Sequence, residues 1–378
     1  MFKGLPQLLV ASLLLPALAR AQAPTPSAAM ALDQQGKWAE GAEAWKSITE
    51  RDPNDAGAYA SLGVDLSRQQ KFDQASAAYR KALKLNPKLP GIRLNLGLAE
   101  FKQGRFSSAA VSLRAALAAD PSSMQARTLL GMSYYGAKKF DLASQYLEPA
   151  AKADPGNAEL HQMLAQSCLN AKKGDCAVEQ FRLLLERSPD SASTHVLLGH
   201  ALDAQGKTSE AMAEFETAAK ISPKEPNIHF LLGFMHWRAQ HFDEAKKEFE
   251  QELAFDPKHE QSMAYLGDIE WKDNHPQEAL ALLQKAIVIN KDFRFAYAEM
   301  GSIYLSQRKY KEAEPVLLRA IKLDPNEPDA HYQLGRLYQA TGKKEEAAKE
   351  LKTVRELQAK ADVSDAQRKA VESSTAKP

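Results

Sequence analysis

Nine histidines and two cysteines are the residues of this 378-residue chain best suited to hold a metal or move a proton. Four of the histidines, His161, His195, His229 and His331, share one position of a 34-residue register and are separated by whole multiples of it. Metal centres draw their ligands from short spacings or from side chains that converge on one point. Histidines one or more whole units apart stand on different units, too far apart to share an ion. They read as aromatic side chains of the packing. His236 and His241 flank a single turn with no carboxylates arranged around them. Cys168 and Cys176 have the wrong spacing for a redox Cys-x-x-Cys pair, and no metal set accompanies them. They sit on either side of an expected tight turn, near Lys172 to Asp175. In an oxidising compartment a disulfide there would staple the hairpin, contributing about 2–3 kcal/mol. Two separate half-buried thiols are the equal alternative. Glycine-rich phosphate loops after a strand, G-x-S-x-G and H-E-x-x-H are all missing. The expectation is a chain with no catalytic residue, no metal and no cofactor.

The register itself dominates the sequence. Gly63, Gly97, Gly131, Ala165, Gly199, Gly233, Gly267, Gly301 and Gly335 follow one another at 34-residue steps, and Ala29 lies one step before them. Twelve residues after each comes a second small residue, such as Ala75, Ala109 or Ala245. Four further on comes a bulky apolar one, such as Tyr79, Leu113 or Phe249. Pro53, Pro87, Pro121, Pro155, Pro189, Pro223, Pro257 and Pro325 close most units. A glycine inside a helix costs about 1 kcal/mol relative to alanine. It is tolerated where a second helix must come close, so Gly63 and Ala75 are expected to mark the contact within one hairpin.

This pattern resembles the tetratricopeptide repeat, a 34-residue helix–turn–helix unit with a W-x2-L-G-x2-Y…A-x3-F…P signature. The resemblance spans residues 22–359 as about ten units. It implies an all-α fold, a right-handed α-solenoid or superhelix of stacked antiparallel helix pairs, in which no hairpin buries its apolar face alone. Left-handed turn residues are expected at Gly36, Gly104, Gly206, Gly342 and Asn274. Helix N-caps are expected at Ser27, Asp55, Ser123, Asn157 and Ser191. Lys291 replaces the closing proline, which predicts a continuous or differently angled junction there. Pro276 is expected to open a helix, and slight irregularity is expected between 274 and 318, where Pro315 also falls.

The ends differ from the array. Lys3 precedes an apolar run from Leu8 to Leu18, and small residues lie at Ala17, Ala19 and Ala21. Residues 1–21 thus read as a signal peptide, too short for the roughly 20 apolar residues of a membrane span. The mature chain is expected to be exported, periplasmic or secreted, with no membrane span. After Leu357 the pattern dissolves, and 360–378 read as a polar cap, with a helix opening at Ser364, and a disordered tail. Lysine and arginine total 49 against 48 acidic residues, a balance that does not point to nucleic acid.

In tetratricopeptide arrays the first helices line the concave wall, where a peptide or partner helix lies. Helix phase then places Met132, Tyr135, Phe230, Phe234, Trp237, Arg238, Asp268, Trp271, Lys272 and Phe295 toward that wall. Large aromatic residues beside Arg238 have the composition of a binding hot spot. The alternative is that these rings fill the seams between adjacent first helices. Some family members clamp a C-terminal carboxylate with lysine, asparagine and arginine. Here the matching positions hold Ala60, Val64, Asn95, Gln125 and Leu129, so that clamp is absent. The sequence therefore predicts a non-catalytic scaffold for a protein or peptide partner. A structural or assembly subunit of an envelope machine is the alternative, and the oligomeric state stays open.

Overall fold

The structure, a computed structural model, describes residues 23–375, with side chains as far as residue 363. The expected signal peptide, residues 1–21, lies outside the described residues, as do residues 376–378. Among the described residues every regular element is an α-helix. The chain divides into two compact units that meet between Lys173 and Gly174 in the sequence. The first contains α1 (Pro26–Gln34), α2 (Trp38–Arg51), α3 (Ala56–Arg68), α4 (Phe72–Leu85), α5 (Ile92–Lys102), α6 (Phe106–Ala119), α7 (Met124–Gly136), α8 (Phe140–Ala153) and α9 (Ala158–Asn170). The second contains α10 (Gly174–Arg187), α11 (Ala192–Asp203), α12 (Thr208–Ile221), α13 (Ile228–Arg238), α14 (Phe242–Phe255), α15 (Glu260–Lys272), α16 (Pro276–Ile289), α17 (Arg294–Ser306), α18 (Tyr310–Leu323), α19 (Pro328–Ala340) and α20 (Lys344–Thr375).

Local signals set the helix ends. The side chains of Asp55, Ser123, Asn157 and Ser191 each accept the backbone N–H three residues on, as N-caps should. At α1 the cap is Thr25, not Ser27, because Pro26 takes the first helical position. Pro276 likewise opens α16. Ten turns at 34-residue steps adopt positive φ: Gly36, Gln70, Gly104, Lys138, Lys172, Gly206, Gln240, Asn274, Arg308 and Gly342. Five of these are glutamine, lysine or arginine, which glycine counting alone does not find. The turn geometry is thus imposed by the packed hairpin and not only by the turn residue.

At Lys291 the helices are not continuous: α16 ends at Ile289 and α17 begins at Arg294. Asn290 takes an extended conformation and its side chain accepts the N–H of Asp292 at 3.0 Å. The same turn forms at Asp120, where Oδ1 accepts from Ser122, and at Asp324, where it accepts from Asn326. The acidic or amide residue before the proline makes the turn, and the proline is dispensable. Pro315 lies inside α18, which runs on as a helix to Leu323. At the other end α20 continues to Thr375, past Ser364, with no separate cap helix. No proline or glycine interrupts residues 344–375, and alanine, lysine, glutamate and arginine favour continuation.

The glycines make room for a bulky neighbour on the second helix. A Cβ on Gly97 would lie 2.5 Å from Leu113 Cγ, and one on Gly199 2.5 Å from Phe215 Cε1. Gly233 relates to Phe249 in the same way, at 2.7 Å. The bulky residue sixteen positions on lies across each of these glycines, and at Gly267 an added Cβ would also lie 3.2 Å from the carbonyl of Ala279, twelve positions on. Leu113, Phe215 and Phe249 are buried as a result. Each is the centre of its hairpin's core.

The repeated histidines are also more than aromatic filling. His195 Nδ1 lies 2.6 Å from a Glu214 carboxyl oxygen, and its Nε2 lies 2.9 Å from the Pro189 carbonyl. His229 is placed in the same way against Glu248 and Pro223, and His331 against Glu350 and Pro325. Each ring clasps the inter-repeat turn to the second helix of its own hairpin. His229 also stacks on Phe255, with centroids 5.6 Å apart. Neither Cys168 nor Cys176 is a free thiol; both are disulfide-bonded.

Within the second unit α13, α15, α17 and α19 touch one another in succession, and no two second helices approach to a comparable extent. The ribbon in that unit bends toward its first helices, which form its inner wall. In the first unit α3, α5, α7 and α9 are related in the same way.

Candidate partner-binding face

Helix α13 carries the sequence Ile228-His-Phe-Leu-Leu-Gly-Phe-Met-His-Trp-Arg238, apolar on more sides than one hairpin needs. Ile228, Leu232 and Met235 are buried. Phe230, Phe234 and Trp237 recur at spacings of three and four, so they form a second stripe beside the core. Phe230 and Phe234 stack with centroids 6.0 Å apart, and Phe234 stacks on Trp237 at 6.0 Å.

Tyr265 on α15 joins this stripe to the next repeat. Its ring meets Phe234 at 5.3 Å and Trp237 at 4.9 Å, both edge-on. It stacks on Phe295 of α17 at 4.7 Å. Phe295 in turn meets Trp237 edge-on at 6.1 Å. Five rings from three successive first helices therefore make one connected surface. All five are partly buried, neither sealed in the core nor isolated in solvent. The two sequence readings, seam filling and exposed hot spot, describe the same side chains.

A polar row borders the rings. Trp237 donates its indole N–H to Asp268 Oδ2 at 2.6 Å. Asp268 is 2% exposed and is also paired with Lys272, one helical turn away. The Lys272 ammonium lies over the Trp237 ring, 5.7 Å from its centroid, and over Phe242 at 5.5 Å. Arg238 sits over Phe234 at 5.8 Å and pairs with Asp203 at 2.9 Å. On α17 Arg294 pairs with Asp329 of the next repeat at 2.6 Å. Glu299 stands among Asp268, Lys272, Asp329 and Arg294. Burial, reinforced by the Asp268 charge, pushes its carboxyl up to about 7. Burial likewise raises the Tyr265 hydroxyl above its usual value.

The face thus gathers Phe230, Phe234, Trp237, Arg238, Asp268, Lys272 and Phe295 from the sequence-based set. Trp271 packs against the core group of Met263, Ala264 and Met300, as Phe295 also does, and makes none of the ring contacts that join the five. Met132 and Tyr135 belong to the first unit. There Met132 is partly buried, and Tyr135 donates its hydroxyl to Gln166 and lies edge-on to Phe140 at 6.1 Å. Helix phase missed Tyr265 and Glu299. Both stand two residues before the repeat glycine, at one register position, and a comparison across that column would have found them. A recess of the first unit, about 880 Å³, is lined by alanine, proline and leucine with a few polar residues and no aromatic ring.

Among the described residues no group of three or more histidine, cysteine, aspartate or glutamate side chains is placed to hold a metal ion. No described helix is long and apolar enough to cross a membrane.

A stack of 34-residue helix pairs with a side-chain-rich inner wall defines a class of helical repeat protein that binds other proteins. Tetratricopeptide repeat models match residues 61–124 and 230–293, a second such model matches 100–167, 134–198 and 304–370, and a TPR repeat model matches 199–240. The chain belongs to the tetratricopeptide repeat family. No curated protein matches it in sequence. Among solved structures, the APC/C hetero-tetramer Cut9-Hcn1 is similar in fold over 87% of this chain and 80% of that one, at 15% identity and a TM-score of 0.52. YrrB, described as a TPR protein with an unusual peptide-binding site, matches 53% of this chain and 99% of its own at 22% identity, with a TM-score of 0.43. Yeast Tom70 matches 91% and 95%, at 14% identity and a TM-score of 0.43.

Proposed function

We propose that this protein is a non-catalytic scaffold that holds an extended or helical segment of a partner protein along the inner wall of α13, α15 and α17. The observation that carries this reading is the connected surface of Phe230, Phe234, Trp237, Tyr265 and Phe295. Rigid aromatic side chains held in place by neighbours lose little entropy on binding, and such rings dominate binding hot spots. Their polar border would orient the segment. Export to the periplasm or beyond is part of the proposal, supported by the leader-like residues 1–21 and the disulfide-bonded cysteines.

The test is site-specific photo-crosslinking in the native host, with a photoreactive phenylalanine at Phe234 and, as control, at Val288, which is 67% exposed on the second helix α16. The expected result is a defined adduct from position 234 that Phe295→Ser abolishes while helical content is unchanged. An adduct from position 288 alone would move the interaction to the outer wall, as an assembly subunit requires. Fractionation of the host cell tests the proposed export.

A further inference from the structure

Along the row that runs from Asp203 to Asp329 in the second unit, three carboxylates each have a cation and Glu299 does not. Asp203 pairs with Arg238, Asp268 with Lys272 and Asp329 with Arg294. Glu299, in the same row, accepts no hydrogen bond and enters no ion pair. Its register position is the one Tyr265 holds a repeat earlier, where Tyr265 touches the rings of the repeat before it. The wall thus changes from aromatic to acidic in one 34-residue step. The four charged groups around Glu299 are Asp268, Lys272, Asp329 and Arg294. Both cations are already engaged by the two aspartates, so the local sum of three carboxylates and two cations is one negative charge. Partly buried carboxylates are normally paired, since an unpaired one forfeits solvation without compensation.

We infer that the partner segment supplies the missing cation: a lysine or arginine side chain that pairs with Glu299, with an apolar or aromatic neighbour lying on Phe234, Trp237 and Phe295. This rests on the proposed binding face and adds the chemistry of its ligand. It predicts the opposite of carboxylate capture at this point, since both cations beside Glu299 are already paired. The arriving cation would favour the ionised form of Glu299, whose carboxyl burial otherwise holds up to about 7, so capture is coupled to proton release and strengthens as pH rises through neutrality.

The experiment is selection of a random linear peptide library on the purified protein at about pH 7.5, on its Glu299→Gln variant and on its Phe234→Ala variant. Circular dichroism first checks that the variants match the parent in helical content. The expected outcome is enrichment of lysine or arginine next to an apolar residue, with the basic preference lost for Glu299→Gln. A selected lysine peptide should bind at least about tenfold more tightly than its norleucine counterpart, and Glu299→Gln should erase the difference. Basic enrichment that persists on Glu299→Gln, or peptides that need Phe234 but carry no cation, would overturn the inference while leaving the binding face intact. Selection of no peptide, or of peptides indifferent to Phe234, would overturn the binding face as well.

Discussion

Trp237 and Asp268, 31 residues apart and on successive repeats, are joined by an indole hydrogen bond of 2.6 Å to a carboxylate that is 2% exposed. Lys272 supplies the counter-charge to the same carboxylate from its own helix. One side chain thus fixes an aromatic ring of the binding face, a cation and the stacking of two repeats.

This arrangement predicts unequal costs. Asp268→Ala leaves Lys272 and the indole N–H without their acceptor and should cost about 2–3 kcal/mol, below the full penalty of a broken buried pair because Lys272 reaches solvent. Trp237→Phe keeps the ion pair and should cost about 1–2 kcal/mol. In a double-mutant cycle by urea unfolding, the two losses should not add. Simple additivity would show that the contact does not couple the repeats.

Asp65 gives a pH dependence with a definite sign. It is 1% exposed, and its carboxyl faces that of Asp33, with which it can share a hydrogen bond only when protonated. Burial first, then the adjacent Asp33 carboxyl, raises it from 3.8 to about 7. Between those values the folded chain keeps a proton that the unfolded chain releases. Stability is therefore fully present below about pH 4 and declines as pH rises toward 7. Asp65→Asn should remove this decline and raise the unfolding midpoint of the first repeats at about pH 8, with little gain at about pH 4. The fluorescence of Trp45, which donates to Asp33 at 2.9 Å, reports the transition locally. A pH-independent parent would refute the assignment.

The repeat glycines should differ in their tolerance of alanine. At Gly97 the added Cβ meets Leu113 at 2.5 Å, whereas at Gly267 it meets Leu283 at 3.1 Å. Gly97→Ala is expected to cost about 2–3 kcal/mol by overpacking, and Gly267→Ala about 1 kcal/mol or less. Thermal unfolding of the two variants checks the ranking, and equal costs would contradict it.

The turns invite a stabilising change. Lys138 holds φ of 56°, a conformation that L-residues other than glycine, asparagine and aspartate rarely adopt. Lys138→Gly relieves about 1 kcal/mol of strain, partly offset by the greater freedom of glycine in the unfolded chain. The expected outcome is a small rise in melting temperature. Gly104→Ala, at φ of 71° with open space around it, should lower it by a similar amount through strain alone.

The amino-acid sequence by itself determined the helix pairs, their count and most of the expected caps, because these follow from period, capping chemistry and turn residues within one 34-residue unit. Asp55, Ser123 and Asn157 act where they stand in the chain. Tertiary structure decided what depends on partners from other helices. Gly97 makes room for the Leu113 side chain, and His195, His229 and His331 become polar clasps because a glutamate and a carbonyl meet each ring. Tyr265 and Glu299 share one register position, yet one completes an aromatic surface and the other remains an unpaired carboxylate. The sequence sets tyrosine against glutamate, but which partners each meets depends on the side chains neighbouring repeats bring to it, which helix phase alone does not specify.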